Sequence, residues 1–193
     1  MYRIQKSEIR NQNSIAVLCL LLLAVVSMLT ARAQESGSVE YKIKAAYLLN
    51  FAKFVEWPTN RFPTPKTPIK IGVLGKDPFG ADLEHTMAGR VIEGRKFEIV
   101  RTDELETAAT CHIVFVSSSE RKRLPQIVET LHQAHVLTVG EVEQFTQQGG
   151  VIRFFLYENT ARFEINAPAA EKAGLRISSK LLQVAKPYGK DKP

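Results

Sequence analysis

Cysteine is scarce in this chain: two residues in 193, Cys19 and Cys111. Cys19 lies in an N-terminal apolar run read below as a leader, so an exported product keeps only Cys111 and has no internal disulfide. The core alone must then hold the fold. Long hydrophobic runs are absent too. The longest, Ile15 to Leu29, has 15 residues, short of the roughly 20 that span a bilayer. Nucleotide-binding loops are missing: Gly72 to Asp77 (GVLGKD) matches neither GxxxxGK[ST] nor GxGxxG and reads as a turn. The single basic run, Arg121-Lys122-Arg123, has no interleaved aromatics, so nucleic-acid binding is not indicated. Internal repeats and low-complexity segments do not occur. Tryptophan occurs once, at Trp57.

The N-terminus has the three parts of an export signal. Arg3, Lys6 and Arg10 form a basic region, the apolar run follows, and Ala31-Arg32-Ala33 fits the small-x-small cleavage rule. The weighed alternative, an uncleaved membrane anchor, fits the short run less well. Cys19 sits inside the run, which argues against a lipoprotein site. Residues 1–33 are therefore expected to be a leader cleaved after Ala33, followed by a short segment 34–38, one domain over 39–187 and a polar tail 188–193. The leader takes four basic residues and one acidic residue with it, so the formal charge falls from +6 to +3. That balance is ordinary.

The most informative stretch is Tyr41 to Pro58, YKIKAAYLLNFAKFVEWP. Ile43, Tyr47, Phe51, Phe54 and Val55 recur at helical spacing, and Ala45, Ala46, Leu48, Leu49 and Ala52 widen the stripe. This predicts a buried opening helix that ends at Trp57, because Pro58 disfavours helical geometry before it. A proline-rich connector follows. Strand and helix signals then alternate. Strands are expected at Ile69–Leu74, Phe97–Val100, Cys111–Val116, Val136–Val139, Val151–Leu156 and Arg162–Ile165. Helices are expected at Ala81–Ala88, Arg121–Gln133, Val142–Gln147, Ala167–Ala173 and Ser178–Lys186, with a loop or short hairpin at Gly89–Gly94. The sum is a single α/β domain, a mostly parallel sheet flanked by helices, with an antiparallel hairpin near one edge.

Candidate chemistry is sparse. Ser117, Ser118 and Ser119 follow a central strand, where open sheets place nucleophiles, but no GxSxG elbow surrounds them and helix capping explains them. His132 and His135, and Cys111 beside His112, are zinc-type ligands placed on different elements or opposite faces, so no metal site is expected. Glu104 and Glu106 fall in a polar loop without a buried base nearby. No catalytic residue, cofactor or metal is assigned. Two features suggest binding instead. Arg162, Glu164 and Asn166 share one strand face as a polar strip, and Trp57 sits where a helix must end, being the side chain most enriched at interaction hot spots.

Taken together, Tyr41–Pro58, Ile71–Gly80 (IGVLGKDPFG), Cys111–Glu120 (CHIVFVSSSE), Val136–Glu141 (VLTVGE), Gly149–Phe154 (GGVIRF), Arg162–Asn166 (RFEIN) and Gly174–Leu182 (GLRISSKLL) resemble the YfiR family of exported bacterial proteins. The resemblance runs in order over about Val39 to Ala185. It implies a periplasmic regulator that restrains a membrane diguanylate cyclase by binding its periplasmic sensor domain, with release raising cyclic di-GMP and favouring biofilm. It carries no catalytic motif. Paired cysteines found in some relatives have no counterpart beside Cys111. The expectation is thus a non-enzymatic periplasmic regulator whose partner is the periplasmic domain of an inner-membrane sensor, contacted through Trp57, Arg162, Glu164 and Asn166. A homodimer is compatible with it. The competing class is a periplasmic solute-binding module, which would need a deep pocket with convergent polar groups.

Overall fold

The structure is a computed structural model that describes residues 39–187. The expected leader, its cleavage point and the polar tail lie outside the described residues. Residues 39–54 form α1, in which Ala45, Leu48, Phe51 and Ala52 are buried. Their spacing of three, three and one places them on one stripe, and each large apolar side chain so buried contributes roughly 1.5–3 kcal/mol. The helix does not reach Trp57. Val55–Glu56 is a short strand, β1, and it pairs antiparallel with Arg176–Ile177, while the Ser178 amide donates to the Phe54 carbonyl at 2.9 Å. A β-branched residue offered an extended partner leaves the helix early.

Beyond the connector come β2 (Ile69–Leu74), α2 (Asp82–Met87), β3 (Val91–Ile92) and β4 (Arg95–Thr102). Then follow α3 (Leu105–Ala109), β5 (Ile113–Val116), α4 (Leu124–Gln133) and β6 (Leu137–Gly140). The chain closes with β7 (Ile152–Tyr157), β8 (Thr160–Ile165), α5 (Ala167–Lys172), β9 (Arg176–Ile177), α6 (Ser179–Val184) and β10 (Lys186–Pro187). The main sheet has the order β10-β8-β7-β6-β5-β2-β4-β3. Its centre, β4 through β7, is parallel, and the β7–β8 hairpin is antiparallel near one edge. A mixed α/β domain with a mostly parallel sheet is therefore what forms.

Helices cover both faces. Residues of α1, α2, α5 and α6 pack on Ile71, Val73, Ile113, Phe115, Val139 and Phe154 in one layer of core. Residues of α3 and α4 pack on Leu74, Val114 and Val116 in the other. Strands buried on both sides read as continuous apolar runs, which is why β5 and β6 were legible.

Several expectations are corrected. Residues 105–109 form α3, where a polar loop was expected, because Leu105 and Ala108 are buried by tertiary contact that five residues of sequence do not announce. Residues 142–148 form turns and not a helix. There Phe145 is wedged between Gly140 and Gly150, and a Cβ at either glycine would overlap its ring. α4 starts at Leu124 after a 3-10 segment, Ser118–Arg123, since Pro125 belongs to a helix's first turn. Cys111 does not share a face with Ile113 and Phe115. It precedes β5 and packs with Val114 and Val116 in the second core layer, because strand alternation does not extend past the first paired residue. Two-residue strands β9 and β10 carry no periodicity and were invisible.

Candidate functional site

Trp57 lies half-buried at the amino end of the parallel strands. Its indole Nε1–H donates to the His112 carbonyl at 3.0 Å, and its ring meets Phe62 edge-on at 6.2 Å and 87°. With Phe62, Ile69, Ile92 and Arg95 it lines a cleft of about 380 Å³. Expected as a contact residue, Trp57 is thus both anchored to the core and open to a cleft.

The polar strip of β8 divides. Arg162 is exposed. Glu164 is buried, and its carboxylate accepts from Thr146 Oγ1 at 2.5 Å and Arg153 Nε at 2.8 Å. Asn166 is buried as well: Oδ1 caps α5 through the Ala169 amide at 3.1 Å, and Nδ2 donates to the Thr146 carbonyl at 2.9 Å. Thr146 of the 142–148 turns meets both Glu164 and Asn166, and Asn166 lies beyond β8 as the cap of α5, so only Arg162 of the three is open to solvent. Trp57 is not beside this strip. Its cleft draws on β2, β3 and β4, whereas Arg162 is on β8, with β5, β6 and β7 between in the sheet.

Arg162 lines a different groove, of about 280 Å³, with Tyr47, Phe155, Tyr157, Phe163, Val184 and Lys186. Phe155 is opposite Arg162 in the β7–β8 ladder. Lys186 Nζ lies 5.5 Å from the Phe155 ring and 5.3 Å from that of Tyr157. Six large apolar side chains are exposed among the described residues, and four of them, Leu156 (55%), Tyr157 (50%), Leu182 (40%) and Val184 (69%), belong to β7 and α6 at this edge. The signal available in the sequence was the i, i+2 alternation of Arg153, Phe155 and Tyr157. A third groove, of about 470 Å³, runs between α2 and the β3–β4 edge.

The carboxyl ends of β2 and β5, where such sheets bind ligands, are filled by the chain itself. Ser117 caps the segment after β5 by accepting from the Ser119 amide at 3.4 Å. Ser119 Oγ accepts from the Lys76 amide at 3.1 Å and donates to Glu120 at 3.2 Å. Gly75, at φ +86°, leaves no room for a Cβ against Ser119. The histidines serve separate structural ends: His135 Nδ1 pairs with the Ala173 carbonyl at 2.9 Å, and His132 is buried in α4. Among the described residues no group of three or more His, Cys, Asp or Glu could hold a metal ion, and no helix is long and apolar enough to cross a membrane.

The fold and its surfaces define an α/β domain with grooves at both sheet edges and a closed centre. A family model described as YfiR/HmsC-like matches residues 41–186, and the chain belongs to that family. Membership supports a regulatory role in the periplasm. Solved structures with some likeness include a conserved domain protein from Vibrio cholerae O1 biovar eltor, at 13% identity and a TM-score of 0.48, covering 62% of this chain and 54% of that one. Another is an ABC domain in complex with L-Trp from Streptococcus pneumoniae, at 14% identity and a TM-score of 0.44, covering 61% of this chain and 54% of that one. The chain thus spans about half the length of each. No curated protein matches the sequence.

Proposed function

We propose that this protein is a non-enzymatic periplasmic regulator that binds the periplasmic domain of an inner-membrane sensor and holds it inactive, the sensor being a diguanylate cyclase. The observation that carries the contact surface is the edge groove of β8 and β10, where Tyr157 and Val184 are exposed beside Arg162 and Lys186. Exposed apolar side chains gathered at one place mark an interaction site, and aromatic and arginine anchors are what such sites use. Family membership over nearly the whole described region supports the regulatory role. A restraining partner must bind the inactive form of its target more tightly than the active form, since equal affinity shifts no equilibrium.

The test is a titration of the purified protein with the periplasmic domain of a membrane sensor encoded beside it. Binding that Arg162→Glu weakens at least tenfold, together with raised cyclic di-GMP after gene deletion, supports the reading. Tight uptake of a small solute with no binding to any such domain overturns it in favour of a solute-binding module.

A further inference from the structure

The connector between β1 and β2 has little secondary structure of its own to hold it. Apart from one 3-10 turn, Thr59–Arg61, it runs without regular structure, and Pro58, Pro63, Pro65 and Pro68 remove amide donors from it. Side chains from the sheet hold its carbonyls instead. Arg95 Nη1 donates to Thr64 O at 2.7 Å and Thr67 O at 3.0 Å, and the His112 ring reaches Arg61 O at 3.0 Å. Phe62 joins both anchors: its ring lies 4.4 Å from that of His112 at 7°, and the Arg95 guanidinium is 4.2 Å from its centre. In return Arg61 Nη2 donates to the Cys111 carbonyl at 2.5 Å.

Only the neutral imidazole fits this slot. Nδ1 accepts the Lys70 amide at 3.0 Å, so the single ring proton sits on Nε2 and is donated to the Arg61 carbonyl. A second proton, on Nδ1, would set one N–H against another. The charged groups around the ring are the cations Arg61 from the connector, Lys70 from β2 and Arg95 from β4. The nearby carboxylate, Glu98 of β4, stands 3.6 Å from Lys70 Nζ. The ring is also 3% exposed. Burial first, then the three cations against the Arg61 carbonyl, hold its pKa down at about 4.

We infer that His112 is an acid-released latch: a proton on Nδ1 expels the ring from its slot against Lys70, the bond to Arg61 goes with it, and the connector lifts from the sheet. Thr59 and Phe62 are wall residues of the Trp57 cleft, so the same event opens that cleft. Trp57 registers it directly, because its indole is bonded to the His112 carbonyl. The latch stands on this geometry whatever the protein binds. A use in signalling would rest on the function proposed above, and the test below can fail without touching that reading.

The experiment is a pH titration of the purified ¹⁵N-labelled protein by NMR from pH 7 to pH 3, with hydrogen exchange. Trp57 is the sole tryptophan, so its indole N–H is one unambiguous peak. The expected result is that the Lys70 amide, the Trp57 indole and the His112 ring change together at one midpoint near pH 4, as His112 does. Lys70 protection falls about tenfold or more while amides of β6 and α4 stay protected. His112→Gln, which keeps a donor and an acceptor and does not titrate, should abolish the transition. Simultaneous loss of protection in β6 and α4, no change down to pH 3, or a His112 ring that titrates without moving Lys70 each overturns the latch. So does an unchanged midpoint in His112→Gln. Should that variant not fold, the coincidence of the three wild-type midpoints decides.

Discussion

Lys44 Nζ lies 2.6 Å from Glu141 Oε2, and the lysine is 3% exposed. The pair ties α1 to the residue that follows β6. Glu40, one turn back, also pairs with Lys44, and the Tyr41 hydroxyl donates to both Glu141 oxygens at 3.1 Å. Burial, with the Glu141 charge second, holds the Tyr41 phenol well above its usual range. Glu141→Ala leaves the buried lysine with Glu40 alone and takes the acceptor from the Tyr41 hydroxyl, whereas Lys44→Met removes the buried charge itself and leaves two carboxylates that reach solvent. Glu141→Ala is expected to cost about 3 kcal/mol and Lys44→Met less than about 1 kcal/mol in urea denaturation. Equal losses would show that packing, and not charge, sets the energetics here.

The β8 strip gives a second contrast. Arg162→Glu should leave the unfolding midpoint within about 0.5 kcal/mol, as exposed positions do, while weakening partner binding. Glu164→Ala removes the acceptor of Arg153 and of buried Thr146, and should cost about 2–3 kcal/mol. Parallel chemical denaturation and binding assays separate the two. A stability loss on Arg162→Glu as large as that on Glu164→Ala would contradict the division of the strip.

Phe145 fits between two glycines. Gly140→Ala or Gly150→Ala would push a methyl into its ring, at a cost of about 1–3 kcal/mol for overpacking. Shrinking the ring makes room, so Gly140→Ala with Phe145→Leu should be less destabilised than the sum of the single changes. Additive losses would place the strain elsewhere.

Acid sensitivity follows from two buried histidines. His112 is held at about 4. His132 is lowered as well, chiefly by burial and then by Lys172, and its ring nitrogens have no well-formed hydrogen bond among the described residues. The unfolded chain takes up protons near the ordinary value of about 6.5, which the folded chain refuses until lower pH. Stability should therefore be full above about pH 6.5 and fall as pH drops from there towards about 4. Urea midpoints measured across that window check the sign. His132→Leu, which removes one of the two groups, should flatten the fall. A rise in stability on acidification would contradict the assignment of both as buried and neutral.

Cys111 has no exposed surface, and burial pushes its thiol pKa up. It should react with a thiol reagent at least about a hundredfold more slowly in native buffer than in denaturant. Fast labelling of the folded protein would show that the segment between α3 and β5 opens readily.

The sequence by itself determined the layers. The continuous apolar run at 113–116 and the Val136-Leu137-Thr138-Val139 stretch, interrupted only by a threonine, mark buried parallel strands, and the stripe of 41–54 marks a covering helix, because burial on one or two faces leaves a period in the chain. Trp57 and the polar face of β8 were legible for the same reason. What the period does not encode is what covers a face. Glu164 and Asn166 look as solvated as Arg162 until Thr146 of the 142–148 turns meets both and Asn166 becomes the cap of α5. The groove of Tyr47, Phe155, Arg162 and Lys186 joins residues up to 139 positions apart. The neutral state of His112 depends on Lys70, Arg61 and Arg95 meeting it from three segments. Only tertiary structure decides such sites, since desolvation and hydrogen-bond geometry belong to the packed neighbourhood and not to any stretch of chain.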